Sequence, residues 1–96
     1  SMNTASIVGR QHLVLGCNFG VHLIPVEEGL PEYFYSYARG KVNDAFVASD
    51  MVIATGDDLQ TLLVWDTRKP GSEPAQVIHL KRQFGHHGQS IAVLSS

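Results

Sequence analysis

Cys17 lies five residues after His12 and five before His22, and a cysteine beside an imidazole can be held as a reactive thiolate. In a turn that follows a strand, inert packing is the simpler role for such a cysteine. Five histidines raise metal binding. His86 and His87 are adjacent, however, and in an extended segment they point to opposite faces. His79 would have to arrive from a neighbouring strand and Asp57 or Asp58 from a loop, and no zinc-type spacing links them. His86 reads as a capping or hydrogen-bonding loop residue, and Asp57-Asp58 as a polar turn. Neither Ser36 nor Ser49 has the glycine-flanked elbow that exposes a catalytic serine. Gly16 and Gly20 lack the third glycine and the following helix of a dinucleotide fingerprint. No catalytic residue, metal site or cofactor is expected.

Tyr33, Tyr35 and Tyr37 alternate along Tyr33-Phe34-Tyr35-Ser36-Tyr37, which in a strand places the three phenols on one face and Phe34 on the other. On an outer strand they would anchor a partner, because each buries area while keeping a polar tip. In a core their hydroxyls would need internal acceptors.

Composition narrows the partners. The chain has 96 residues, seven Lys and Arg against nine Asp and Glu, and a net charge of −2, so nothing drives phosphate-backbone binding and no nucleic-acid partner is expected. No apolar run reaches the ~18 residues of a membrane-spanning helix, and no signal-peptide pattern opens the chain, so no membrane partner is expected either. The single cysteine fits a reducing compartment, and an intracellular location, cytoplasm or nucleus, follows as the expectation. Ser1-Met2 reads as a cloning scar.

The elements that would position these residues are strands. His12 to Gly16 and Val21 to Val26 flank Cys17-Asn18-Phe19-Gly20 and read as two strands and a tight turn. Glu27 to Pro31 reads as a connector. Tyr33 to Tyr37 reads as a strand that Gly40-Lys41 breaks, with Val42 to Ala48 as the next. Aromatic and alanine spacing leaves room for a helix over residues 32 to 49, but Gly40 and the β-formers favour strands. Val52 to Thr55 and Thr61 to Asp66 form a second hairpin around Gly56-Asp57-Asp58. Lys69 to Pro74 is an exposed loop by its prolines and glycine. Ala75 to Lys81 reads as a half-exposed strand, and Ser90 to Leu94 as one more.

Residues 13 to 26 align without a gap on residues 53 to 66, Gly16 falling on Gly56, at an offset of 40. With its small-residue strand Ile53-Ala54-Thr55-Gly56, its apolar strand Leu62-Leu63-Val64 and Trp65-Asp66 at the strand end, the second copy resembles the WD-repeat family, whose period is ~40 to 45 residues. Gly85-His86 lies where that family's Gly-His landmark would precede the next unit. The resemblance departs from the pattern at Pro25-Val26, which replaces Trp-Asp in the first copy. It departs again at Leu59-Gln60, which stands where an Asp-Gly turn would anchor a hydrogen-bond network.

The resemblance implies an all-β protein of antiparallel four-stranded blades forming part of a propeller: a blade fragment over 3–38, a blade over 40–82 and the start of another over 85–96. A small β-barrel or sandwich over 3–96 is the alternative. Gly16, Gly56, Trp65 and His86 would be structural. The implied function is a non-catalytic scaffold that binds other proteins. Trp65-Asp66-Thr67-Arg68 is similar to the motif with which substrate receptors dock on the propeller adaptor of cullin-RING ubiquitin ligases, and Arg68 would offer an exposed guanidinium for bidentate pairing. Trp65, Asp66 and Arg68, with Tyr33, Tyr35 and Tyr37, are thus the expected partner-binding residues. A closed propeller needs at least ~4 blades, so a complete chain of this length would have to self-associate. The rival is a stand-alone β domain binding a small ligand or an ion through Cys17, His22, His79 and the Asp57-Asp58 turn.

Overall fold

The computed structural model describes residues 11–81, which form five strands, all paired antiparallel in the order β1-β2-β3-β4-β5. They are β1 (His12–Pro25), β2 (Tyr33–Ala48), β3 (Met51–Gly56), β4 (Thr61–Asp66) and β5 (Gln76–His79). The all-β expectation holds, and the helical option over residues 32 to 49 is excluded by β2 itself.

β1 is one unbroken run of 14 residues where two strands and a turn were expected. It nevertheless reverses. Fully extended it would span roughly 46 Å, yet the Val26 N–H donates to the Gln11 carbonyl at 3.0 Å. The fold-back is centred on Asn18-Phe19, and Phe19 adopts the left-handed conformation at φ 68. The pairing of residue 11 with residue 26 recurs 40 residues later, where Met51 lies opposite Asp66 in the β3–β4 hairpin. The two segments therefore share a hairpin register.

β2 is likewise continuous, and Gly40 does not break it as expected; at φ 152 the residue absorbs a change of direction instead. Tyr33 to Ser36 pair with Leu23 to Gly20 of β1 and, past a register shift, Lys41 pairs with Asn18, whereas Val42 to Ala48 pair with β3. One strand thus serves two ladders, and the second ladder continues through β4 to β5 as a four-stranded meander. The far end of the sheet curls back, because the Gly71 N–H donates to the Phe34 carbonyl (2.6 Å) and the Ser36 N–H to the Ser72 carbonyl (2.9 Å).

Alternation sorts the side chains. Val21, Leu23, Tyr35, Tyr37, Val42, Val52, Ala54, Leu63 and Trp65 form a single core, with Val14, Ala45 and Phe46 packed against it. Leu13 and Leu15, on the opposite face of β1 from Val14, are exposed. Leu23 and Leu63 occupy corresponding positions of the two hairpins, and both are fully buried in that one core.

Candidate functional site

The Trp65-Asp66-Thr67-Arg68 segment leaves the end of β4 as a tight turn: Thr67 N–H and hydroxyl both donate to the Asp50 carbonyl, at 2.9 and 3.1 Å. Thr67 is buried and Arg68 emerges. The Arg68 side chain is 55% exposed, but its guanidinium is not free. Arg68 Nε donates to Asp66 Oδ1 (2.8 Å) and Nη2 to Asp66 Oδ2 (2.9 Å), while the Arg68 backbone N–H also reaches Asp66 Oδ1 (2.9 Å). Asp50 Oδ2 lies 3.7 Å from the same fork. The Arg68 side-chain donors, then its backbone N–H, hold the Asp66 carboxyl well below the usual range, at about 2. The open guanidinium that the docking motif requires is thus replaced by a bidentate pair inside the chain. Beside it is a cleft of about 330 Å³ that Met51 and Val64 line together with the Asp50, Asp66 and Arg68 rim.

Trp65 has no exposed surface, and its indole N–H donates to the Ser36 carbonyl of β2 (2.8 Å). Tyr35 is equally buried, and its hydroxyl donates to the Thr67 carbonyl (2.7 Å). Burial first, then the neighbouring Tyr33 and Asp66, pushes that phenol up to about 12. Trp65, Tyr35 and Tyr37 were expected to touch a partner. As core residues they offer almost none: Trp65 and Tyr35 are fully buried and Tyr37 is 9% exposed. Tyr33 is half-buried, with the His12 ring 5.5 Å from its own. Of the six expected contact residues, only Asp66, Arg68 and Tyr33 retain surface.

Gly16 and Gly56 correspond by the offset of 40 but differ in what holds them. A Cβ on Gly16 would lie 2.3 Å from the Asn43 carbonyl oxygen, whereas one on Gly56 would meet nothing closer than 3.5 Å. Asp58 supplies the anchor that Leu59-Gln60 cannot. Its carboxylate accepts the Gln60 N–H (2.9 Å), the Thr61 N–H (3.1 Å) and the Thr61 hydroxyl (3.0 Å). The Gln60 N–H foremost, with Thr61 assisting, holds the Asp58 carboxyl below its ordinary value.

The ligand-binding rival fares poorly in geometry. The Cys17 thiol, half-buried, donates to the Gly20 carbonyl (3.3 Å), and the His22 ring meets Phe34 edge-on at 4.8 Å. Among the described residues no three potential metal ligands come together. His86, His87 and the Gly85-His86 landmark lie outside the described residues.

One residue was missed in the sequence. Glu73, in what read as a merely exposed loop, accepts the Ser36 hydroxyl (2.6 Å) and the Ala38 N–H (3.0 and 3.1 Å to its two oxygens). With the Gly71 and Ser72 bonds it straps the β4–β5 loop onto β2. An acid lodged between Ser72 and Pro74 gives no periodic signal, so only the fold could reveal it.

Against known proteins, the chain is 33% identical over 64 residues, 66% of its length, to WD repeat-containing protein 55 of Pongo abelii and equally to WD repeat-containing protein 55 of Homo sapiens. It spans 17% of the length of these relatives. No family model matches, and no solved structure does. The likeness is to a WD repeat-containing protein over about two thirds of this chain.

Proposed function

We propose that the chain is a WD-repeat segment that works as a non-catalytic scaffold for other proteins. The observation that carries the reading is the repeat in backbone geometry: two hairpins in the same register, 40 residues apart, each with a left-handed residue at the same place. The likeness to WD repeat-containing protein 55 supports it independently. The change of ladder along β2, from Lys41 opposite Asn18 to Val42 opposite Gly56, is in keeping with a division into two units close to residue 40. A sheet with Trp65 and Tyr35 locked inside presents loops and strand ends rather than a reaction centre.

The rim of Asp50, Asp66 and Arg68 above Met51 and Val64 is the surface most suited to a protein partner, with apolar area inside a charged border. Docking on the cullin-ligase adaptor would require Arg68 to exchange Asp66 for a partner's carboxylate. The test is saturable capture, by cross-linking and mass spectrometry, of defined proteins on the immobilised chain, repeated with Met51→Lys at matched thermal stability. Scaffold function predicts a partner whose capture falls at least tenfold in the variant; no saturable capture by the parent rejects it. Including the purified adaptor with the Asp66→Asn chain, in which Arg68 is released, tests the narrower docking reading in the same experiment.

A further inference from the structure

A second cavity, of about 260 Å³, opens where β2 bends at Gly40; Tyr37, Arg39, Gly40 and Lys41 of β2 line it, with Asp57 and Asp58 of the β3–β4 turn. It shares no residue with the cleft beside Arg68. Tyr37, Arg39 and Lys41 are alternate residues of one strand, the spacing that brings side chains to one face.

Tyr37 is the unusual member. Only 9% of it is exposed, and its ring belongs to the core. Yet its hydroxyl, unlike that of Tyr35, has no hydrogen-bond partner among the described residues. No fully enclosed side-chain polar atom among those residues goes unbonded, so the Tyr37 hydroxyl must open onto the cavity. A Cβ on Gly56 would lie 3.8 Å from it, which puts it at the start of the Asp57-Asp58 turn. A buried phenol ordinarily finds an acceptor, and the chain supplies none here.

Charge sets what kind of acceptor fits. Arg39 and Lys41 are exposed, and neither forms an ion pair among the described residues. Asp58 is already committed, its carboxylate accepting from Gln60 and Thr61. That leaves the Asp57 side chain as the free acid against two free cations, a surplus of one positive charge. A carboxylate matches that surplus and can accept from the phenol and from both cations. A phosphate monoester, at roughly −1.5 to −2 near neutral pH, would overshoot it beside Asp57.

We propose that this cavity holds a carboxylate side chain of a protein partner, with Tyr37, Arg39 and Lys41 donating to it. The proposal rests on the scaffold reading but places a contact away from the cleft of Met51 and Val64, so either can fail alone.

The test is an NMR titration of the full 96-residue chain with a capped peptide, Gly-Gly-Glu-Gly-Gly, at constant ionic strength. Docking predicts saturable shifts of the Arg39, Lys41 and Asp57 amides at millimolar peptide, and at least about fivefold weaker binding of the Gln counterpart. Tyr37→Phe should weaken peptide binding about fivefold or more while leaving the melting temperature unchanged, because the hydroxyl it removes has no internal bond. Should that variant also lose stability, the same comparison in Arg39→Gln and Lys41→Gln, at exposed positions, decides. No saturable shift, equal binding of the Gln peptide, or binding that the variants leave unchanged overturns the proposal. So does tighter binding of inorganic phosphate in a parallel titration, which would identify a phosphate site. The scaffold reading survives each of these results, since its own test is the Met51→Lys comparison.

Discussion

Phe19 and Leu59, exactly one repeat apart at an offset of 40, both adopt the left-handed conformation, at φ 68 and φ 58. Neither residue type favours that region, which costs a non-glycine residue ~1 to 2 kcal/mol. Each marks the reversal of its hairpin. Phe19 is exposed, so little packing opposes its replacement. Phe19→Gly should raise stability by about 0.5 kcal/mol, the relief of strain being offset in part by the entropy of an added glycine. Phe19→Val should lower it by about 1 kcal/mol, since a β-branched side chain tolerates positive φ worst. Urea unfolding of both variants checks the pair, and the opposite order would reject the strain at this turn.

The corresponding glycines should respond unequally. Gly16→Ala forces a methyl to within 2.3 Å of the Asn43 carbonyl oxygen, so β1 and β2 must separate, and a loss of ~2 kcal/mol or more is expected. Gly56→Ala meets ordinary contact distances and should change stability by less than ~1 kcal/mol. Thermal melts of the two variants decide, and equal losses would count against the register.

Trp65→Ala should cost ~3 to 5 kcal/mol, most of the stability of a domain this small, and abolish cooperative unfolding. Trp65→Phe preserves most of the bulk but strands the Ser36 carbonyl, which the indole N–H satisfies. It should cost ~1 to 3 kcal/mol. A Trp65→Phe chain as stable as the parent would show that the bond to Ser36 contributes nothing.

Two groups set opposite pH limits. The Tyr35 phenol is raised to about 12, so its contribution is complete below the unfolded value near pH 10 and is lost as pH rises through 12. The Asp66 carboxyl is lowered to about 2, so its contribution is present above the unfolded value near pH 4 and is lost as pH falls through 2. Tyr35→Phe should flatten the alkaline limb of stability against pH, and Arg68→Ala the acid limb. Because Arg68 and Asp66 are at the surface, where solvent screens the pair, Arg68→Ala should leave stability at neutral pH nearly unchanged. Denaturant midpoints across the two limbs test both.

Much of the fold was legible because hydrophobic alternation and turn residues are local signals. The β3–β4 hairpin, the Tyr33 to Tyr37 strand and the offset of 40 could all be read from spacing. Continuity through Gly40 could not, since a glycine that breaks a strand and one that bends it have the same letter. The site was legible in its members more than in its state. Trp65-Asp66-Thr67-Arg68 could be seen, but the closure of Arg68 onto Asp66 depends on a turn held by Thr67 and the Asp50 carbonyl, 17 residues away. The phenols of Tyr35 and Tyr37 lie inward because the curl of the sheet places a second ladder over them, and no pattern within five residues encodes that.

The strap from Gly71, Ser72 and Glu73 to β2 also orders events in time. Each hairpin closes from residues near in sequence, whereas the Gly71–Phe34 bond joins residues 37 apart. Local hairpins form on the microsecond scale, and longer loops are slower to close. The two ladders should therefore assemble first and the strap last. In the reverse direction the strap should open first, so the earliest departure from the native state frees Phe34, Ser36 and Ala38 of β2 from the loop while both hairpins remain intact.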